Sequence, residues 1–241
     1  MNLNNRVAIV TGASSGIGLA VAKILTREGV SVSLAARSSD KLFVLSKELS
    51  NSLPIPTDLT KENDIHAMVK KTHEHFGRID ILVNCAGQGY DAPIENTNII
   101  TFQKIFYLDV VAPLIAMQMV IPIMRDLEEG SIINVSSGTA LMYLPDMGAY
   151  SSLKRALAHL SLTAREELKR DNIIVSVAYP YITLTDFEKN TIKEGQETVW
   201  EGEEYEAPPA DTAEFVAQKI VDGIKSGEAE IFMHDWMKDL H

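Results

Sequence analysis

The stretch Val7-Ala8-Ile9-Val10-Thr11-Gly12-Ala13-Ser14-Ser15-Gly16-Ile17-Gly18 decides how the rest of the chain is read. Val7 to Thr11 is apolar or β-branched almost throughout, the composition of a strand covered on both faces. A glycine-rich turn follows and opens at once into a helical pattern. Glycines in such a turn let backbone N–H groups approach a diphosphate and let helix and strand pack closely, while the helix N-terminus adds partial positive charge. The spacing is Gly-x-x-x-Gly-x-Gly rather than Gly-x-Gly-x-x-Gly, so the motif draws its meaning from its place between a first strand and a first helix. That place predicts a nucleotide-binding turn.

Working outward, similar apolar runs recur at Val30 to Ala35, Ile79 to Asn84, Ser131 to Val135, Ile173 to Ala178 and Ala229 to Met233. Leu53 to Thr57 is a weaker run whose two prolines suit only a sheet edge. Between the runs lie helical patterns at Ile17 to Glu28, Asp40 to Ser50, Lys61 to Phe76, Phe102 to Leu127, Tyr150 to Arg170 and Thr212 to Lys225. This alternation predicts one doubly wound α/β domain over residues 1–241, with a mostly parallel sheet of about seven strands and helices on both faces.

The chain carries 33 acids against 22 bases, a net charge of −11, which argues against broad contact with nucleic acid or an anionic membrane surface. Cys85 is the only cysteine, so no intramolecular disulfide can form, and a reducing, cytoplasmic setting is expected. The glycine turn interrupts the apolar start before it reaches the length of a signal core. Val110 to Met124 carries Pro113, Gln118 and Pro122 and falls short of the ~20 residues that span a bilayer, so it reads as a buried helix, with Met117, Met119 and Met124 filling core. His73 and His75, two apart on a helix, point in different directions, and no metal site is expected. Glu194 to Pro209 holds six glutamates and no base, and is read as a solvated loop or as a lid at about 186–209.

Two further features bear on chemistry. The residue closing the second strand faces the adenosine ribose in this architecture, and an acid there would favour a free 2′-hydroxyl. Here Ala36 is followed by Arg37, which can pair with a 2′-phosphate, so NADP(H) is expected over NAD(H). Tyr150 and Lys154, four apart at the start of a helix, project from one face. An ammonium near a phenol favours the phenolate and brings tyrosine toward the working range of a general acid/base. Ser137 lies just after the strand Ser131 to Val135, at the same sheet edge as Tyr150 and the glycine turn.

Together these residues give the chain a resemblance to the short-chain dehydrogenase/reductase family, carried by the Thr11 to Gly18 turn, Asp58, Asn84-Cys85-Ala86-Gly87, Ser136-Ser137, Tyr150-x-x-x-Lys154, and Pro180 with Thr185. The resemblance implies that Gly12, Ser14, Ser15, Gly16, Ile17 and Gly18 hold the cofactor's phosphates and adenosine ribose, and Arg37 its 2′-phosphate. It places Asp58 and Leu59 at the adenine, Asn84 and Ala86 at the ribose region, and Pro180, Ile182 and Thr185 at the nicotinamide. Ser137 would bind the substrate oxygen, Tyr150 would give or take its proton, and Lys154 would hold the nicotinamide ribose and depress the tyrosine pKa. An assembly of two or four copies is implied as well.

Two positions depart from the family pattern. Asp109 stands where many members have asparagine; its main-chain carbonyl could keep the family role of holding a relay water, but its carboxylate would attract Lys154. Tyr181 stands where glycine commonly follows the proline, and either narrows the cleft or packs on the loop. The expected activity is NADP-dependent interconversion of a carbonyl and a secondary alcohol on a small-molecule substrate. The alternatives are a cofactor-binding regulator or partner protein with weak or no turnover, and a 3-oxoacyl thioester reductase. The glutamates Glu194, Glu197, Glu201, Glu203, Glu204 and Glu206 would make the cleft mouth acidic and favour neutral or cationic substrates.

Overall fold

Strand β1 (Val7–Thr11) is buried at all five positions, as its composition requires. It pairs in parallel with β2 (Ser31–Ala36) on one side and β4 (Ile81–Asn84) on the other. Beyond β2 lies β3 (Ser52–Pro56); beyond β4 follow β5 (Gly130–Val135), β6 (Ile173–Tyr179) and β7 (Glu230–Phe232). The seven strands run in the order β7-β6-β5-β4-β1-β2-β3, all parallel. In β3, Pro54 and Pro56 are tolerated because this strand has a neighbour on one side only, where their missing N–H groups break no second ladder. The computed structural model describes residues 1–195 and 209–240.

Successive residues of the central strands feed opposite faces of the sheet. Ala8, Val10, Ile81 and Val83 join one core layer with Val21, Leu25, Ile220 and Val221. Ile9 and Leu82 join the other, with Ile65, Met68, Met117 and Val120. The first layer is supplied by α1 (Gly16–Arg27) and α7 (Ala213–Ser226), which pack together. The second is supplied by α3 (Glu62–Phe76) and α5 (Ala112–Asp126), while α2 (Ser39–Glu48) adds Leu42 to the first layer and covers β3. α5 buries Ala112, Pro113, Ala116, Met117, Val120 and Met124, which accounts for the long uncharged run in the sequence.

The expected helix over Phe102 to Leu127 begins earlier and is interrupted. α4 (Ile99–Phe106) starts where the Asn98 side chain accepts from the N–H groups of Ile100 and Thr101, an N-cap. A π turn, Tyr107–Val111, then joins α4 to α5 and carries the fully buried Asp109. Such turns recur at functional sites. α6 (Gly148–Leu168) follows β5.

Parallel strands put all their carboxyl ends on one edge. The chain builds β1, β2 and β3 outward, then crosses β1 to lay down β4 on its other side. The crevice between the carboxyl ends of β1 and β4 is where ligands bind in such sheets. Two short pairings close over this edge: Tyr90–Asp91 with Ile192–Lys193, and Thr183–Leu184 with Asp211–Thr212.

Candidate active site

The glycine turn occupies the crevice and is shaped by close backbone approach. Gly12 has φ +70°, and a Cβ there would lie 3.1 Å from the backbone N and Cα of Ala86, so the turn lies directly against the loop after β4. A Cβ on Gly18 would lie 2.5 Å from the carbonyl oxygen of Gly12, so the first turn of α1 can close on the end of β1 only with glycine there. Thr11 Oγ1 accepts from the N–H groups of Cys85 (3.0 Å) and Ala86 (3.2 Å), pinning the β1 and β4 ends together. The N-cap residue of α1, Ser15, makes no side-chain cap bond, and the first turn carries no acid. That leaves the positive end of the helix free for an anion. These features fit a dinucleotide's diphosphate. Arg37 sits exposed at the end of β2 and makes no ion pair among the described residues.

Other expected cofactor residues lie on the same edge with their side chains differently engaged. Leu59 is buried among Ile55 and Ile65, while the Asp58 carboxylate accepts from Thr60 N (3.1 Å) and Thr60 Oγ1 (2.7 Å), within its own turn. Asn84 donates to Asn134 Oδ1 at 2.8 Å, so its amide is used inside the sheet. After β6, the chain from Pro180 returns over the glycine turn: the Thr185 methyl lies 3.2 Å from where a Gly16 Cβ would stand, and Ile182 is half exposed. Tyr181 packs edge-on against Trp236, with ring centroids 5.2 Å apart, and against His234 at 6.4 Å. Of the two expectations for Tyr181, loop packing is the one found.

Ser137, Tyr150 and Lys154 converge at the ends of β5 and α6. Ser137 Oγ accepts from Thr139 N (3.2 Å) and Thr139 Oγ1 (3.0 Å) and stands close enough to Tyr150 to favour its phenolate. Lys154 Nζ lies 5.7 Å from the Tyr150 ring centroid and donates to the Val135 carbonyl at 3.3 Å. The attraction expected from Asp109 is realised: its Oδ2 lies 2.9 Å from Lys154 Nζ, with both side chains buried. Gln88 N donates to the other carboxylate oxygen at 3.0 Å.

The electrostatics of this group differ from the expected depressed tyrosine. Burial pushes the Tyr150 phenol up; Lys154 pulls it down, Asp109 pushes it up again, and it stays above the ordinary tyrosine value. Burial alone would lower Lys154, but Asp109 and Tyr150 outweigh it and hold the ammonium above its usual range. Burial raises the Asp109 carboxyl against the pull of Lys154. Cys85, whose thiol burial pushes up to about 12, is no thiolate nucleophile.

Sequence reasoning missed the contacts made by residues 187–194. Phe187 places its ring 6.0 Å from that of Tyr150, and Glu194 accepts from Thr101 Oγ1 (3.0 Å) and from the hydroxyl of the fully buried Tyr90. Of the lid expected at 186–209, residues 186–195 are tied to the sheet edge by these contacts although most of their side chains are exposed, and residues 196–208 lie outside the described residues. Of the six acids expected at the cleft mouth, Glu194 is engaged in this fastening, and Glu197, Glu201, Glu203, Glu204 and Glu206 lie outside the described residues. The signal was present in Tyr90, an aromatic directly after Gly87-Gln88-Gly89, but nothing in the sequence pairs it with Glu194.

The family model described as short chain dehydrogenase matches residues 6–196. The chain belongs to that family. An uncharacterised oxidoreductase of Staphylococcus haemolyticus is 34% identical over 74% of this chain and 78% of its own length. A crystal structure of a short-chain dehydrogenase from Streptomyces avermitilis superposes with a TM-score of 0.88 at 26% identity, covering 98% of this chain and 90% of that one. A 3-ketoacyl-(acyl-carrier-protein) reductase from Brucella melitensis, solved with NADH, shares the fold at TM-score 0.85 and 21% identity, over 96% of this chain and 98% of its own. The short-chain dehydrogenase described here is therefore an oxidoreductase acting between CH–OH and C=O groups with a nicotinamide dinucleotide.

Proposed function

We propose that this dehydrogenase uses NADP(H) to interconvert a carbonyl and a secondary alcohol on a small, largely apolar substrate. The observation that carries the reading is the convergence of Ser137, Tyr150 and Lys154 at the carboxyl edge, beside a glycine turn with a free helix N-terminus. The bound dinucleotide would supply or accept the hydride, a chemistry the protein positions rather than performs. Gly12 through Gly18 would hold its phosphates, Arg37 a 2′-phosphate, and Asn84, Ala86, Pro180, Ile182 and Thr185 its ribose and nicotinamide end. Asp58 and Leu59 would border the adenine. Ser137 orients the substrate oxygen and Tyr150 exchanges a proton with it, while Lys154 holds the ribose.

Residues 1–241 act as one domain in this reading, with 186–209 bordering the substrate, and the protein assembles as a homodimer or homotetramer in the cytoplasm. The second reading, a cofactor-binding regulator without turnover, is favoured by one observation only, the carboxylate of Asp109 on Lys154. Mixing the protein with NADPH should change the cofactor's fluorescence, and a panel of ketones and aldehydes should contain one that oxidises it. Arg37→Ala should weaken NADPH binding by roughly 10- to 100-fold, the worth of a charge-assisted contact, and leave NADH binding nearly unchanged. Equal losses for both cofactors would remove Arg37 from the 2′-phosphate. Cofactor binding with no turnover on any carbonyl would favour the regulator.

A further inference from the structure

Lys154 Nζ donates one hydrogen bond, to the Val135 carbonyl at 3.3 Å, and stands 2.9 Å from Asp109 Oδ2 in a buried ion pair, an oxygen that has no hydrogen-bond partner among the described residues. The contact with Asp109 is built in from several sides. The π turn delivers the carboxylate, Gln88 N holds its second oxygen, and Gly87 makes room: a Cβ there would lie 3.0 Å from Asp109 Oδ2 and 3.1 Å from Lys154 Nζ. Amine and carboxylate share one proton across neutral pH, so the pair is neutral toward its surroundings whichever member holds it. Burial raises the Tyr150 phenol most, and Asp109 offsets part of the downward pull that Lys154 exerts on it. The other groups facing it are the Ser137 hydroxyl, which favours the phenolate, and the Asp91 carboxylate, which opposes it; Cys85 faces Lys154 as a neutral thiol. Phe187 covers the ring without adding charge.

We propose that Asp109 is a positioning residue that biases the resting protonation state of the site: held 2.9 Å from Lys154 by the π turn and Gln88, it offsets part of the ammonium's pull and so adds to burial in keeping Tyr150 protonated, poised at neutral pH to give a proton to a carbonyl oxygen. The inference rests on the oxidoreductase reading above. In the reduction the Tyr150 O–H bond breaks and its proton goes to the substrate oxygen. The C=O electron pair becomes the new O–H bond as the carbonyl carbon takes a hydride from the reduced dinucleotide. The Tyr150 phenolate then regains a proton from water.

Tyrosinate absorbance, titrated without cofactor in the native protein and in Tyr150→Phe, gives the Tyr150 curve by difference. The expected midpoint lies above the ~10 of an ordinary tyrosine and falls by about one unit or more in Asp109→Asn, where Lys154 acts unopposed. With NADP(H) present, Asp109→Asn should move the alkaline rise of alcohol oxidation to lower pH and raise the oxidation rate relative to reduction. A native Tyr150 midpoint at or below the ordinary value overturns the proposal, even where Asp109→Asn fails to fold. An unchanged midpoint in a folded Asp109→Asn overturns it too. Absence of any turnover in both proteins counts against the redox reading instead, and leaves the titration to decide on Asp109.

Discussion

Asp80 and Asp109 are both fully buried carboxylates, set at opposite ends of the same sheet. Asp80 immediately precedes β4 at the amino edge and receives Arg6 Nη1, Arg78 Nε and Val7 N, each at 2.9 Å. Burial works to raise its carboxyl, but these donors outweigh burial and hold it below the ordinary carboxylate range. Asp109 at the carboxyl edge has one cation and one main-chain N–H, and there burial wins and the carboxyl rises. Both side chains are closed to solvent, but Asp109 is the more deeply enclosed and has fewer donors, and the two differences together set the direction. Arg6 also reaches Glu129, so the Asp80 cluster ties the starts of β1, β4 and β5 into one clamp. One edge satisfies its charges and stabilises; the other leaves them short and is ready for chemistry.

That contrast can be broken from either end. The largest expected effect is Tyr150→Phe, which removes the proton donor and should cut turnover by about 10²- to 10⁴-fold while NADPH binding and melting temperature stay close to native. Retained turnover would strip the carboxyl edge of its assigned role. Next comes Asp80→Asn, which leaves Arg6 and Arg78 without their shared anion and should cost about 3–5 kcal/mol of stability, read from denaturant unfolding, with kcat of the folded enzyme unchanged. Its pH dependence has a definite sign. The Asp80 carboxyl is lowered by folding, so its stabilisation is present above the unfolded value of ~3.9 and is lost as pH falls through the lower folded value. Native and Asp80→Asn proteins should therefore differ most near neutrality and converge in acid. A gap that widened in acid would contradict the clamp.

The two edges were also unequally legible in the sequence. The sheet could be read because strands covered on both faces must be apolar throughout, and the glycine turn because close backbone approach at Gly12 and Gly18 admits no side chain. Even the edge position of β3 followed from Pro54 and Pro56. The attraction between Asp109 and Lys154 was readable once the family pattern aligned them. The π turn was not, since nothing in Tyr107 to Val111 distinguishes a five-residue hydrogen-bonded turn from ordinary helix, and the balance on Tyr150 depends on burial that spacing does not report. Tyr181 could not be placed because its partner, Trp236, lies in the last turn of the chain. Residues far apart in sequence that meet over the site carry no periodic signal.

The smallest expected effect probes the join between substrate loop and chemistry. Glu194 N donates to Asp91 O at 3.0 Å, and its carboxylate, held below the ordinary range first by the Tyr90 hydroxyl and also by Thr101, fastens residues 186–195 to the start of α4. Phe187 rides on that segment: its carbonyl accepts from Asn190 N and Thr191 Oγ1, both at 3.1 Å, while its ring stands over Tyr150. Glu194→Gln keeps the shape and removes the charge, weakening both side-chain bonds without touching Tyr150, Lys154 or Asp109. The expected result is a few-fold rise in KM for the carbonyl substrate and faster proteolysis within 186–195, with kcat and the Tyr150 titration unchanged. Should kcat and the Tyr150 midpoint shift together in Glu194→Gln, the fastening of Phe187 would belong to the electrostatics of the carboxyl edge, and the contrast with Asp80 would have to be drawn between whole loop assemblies rather than between two carboxylates.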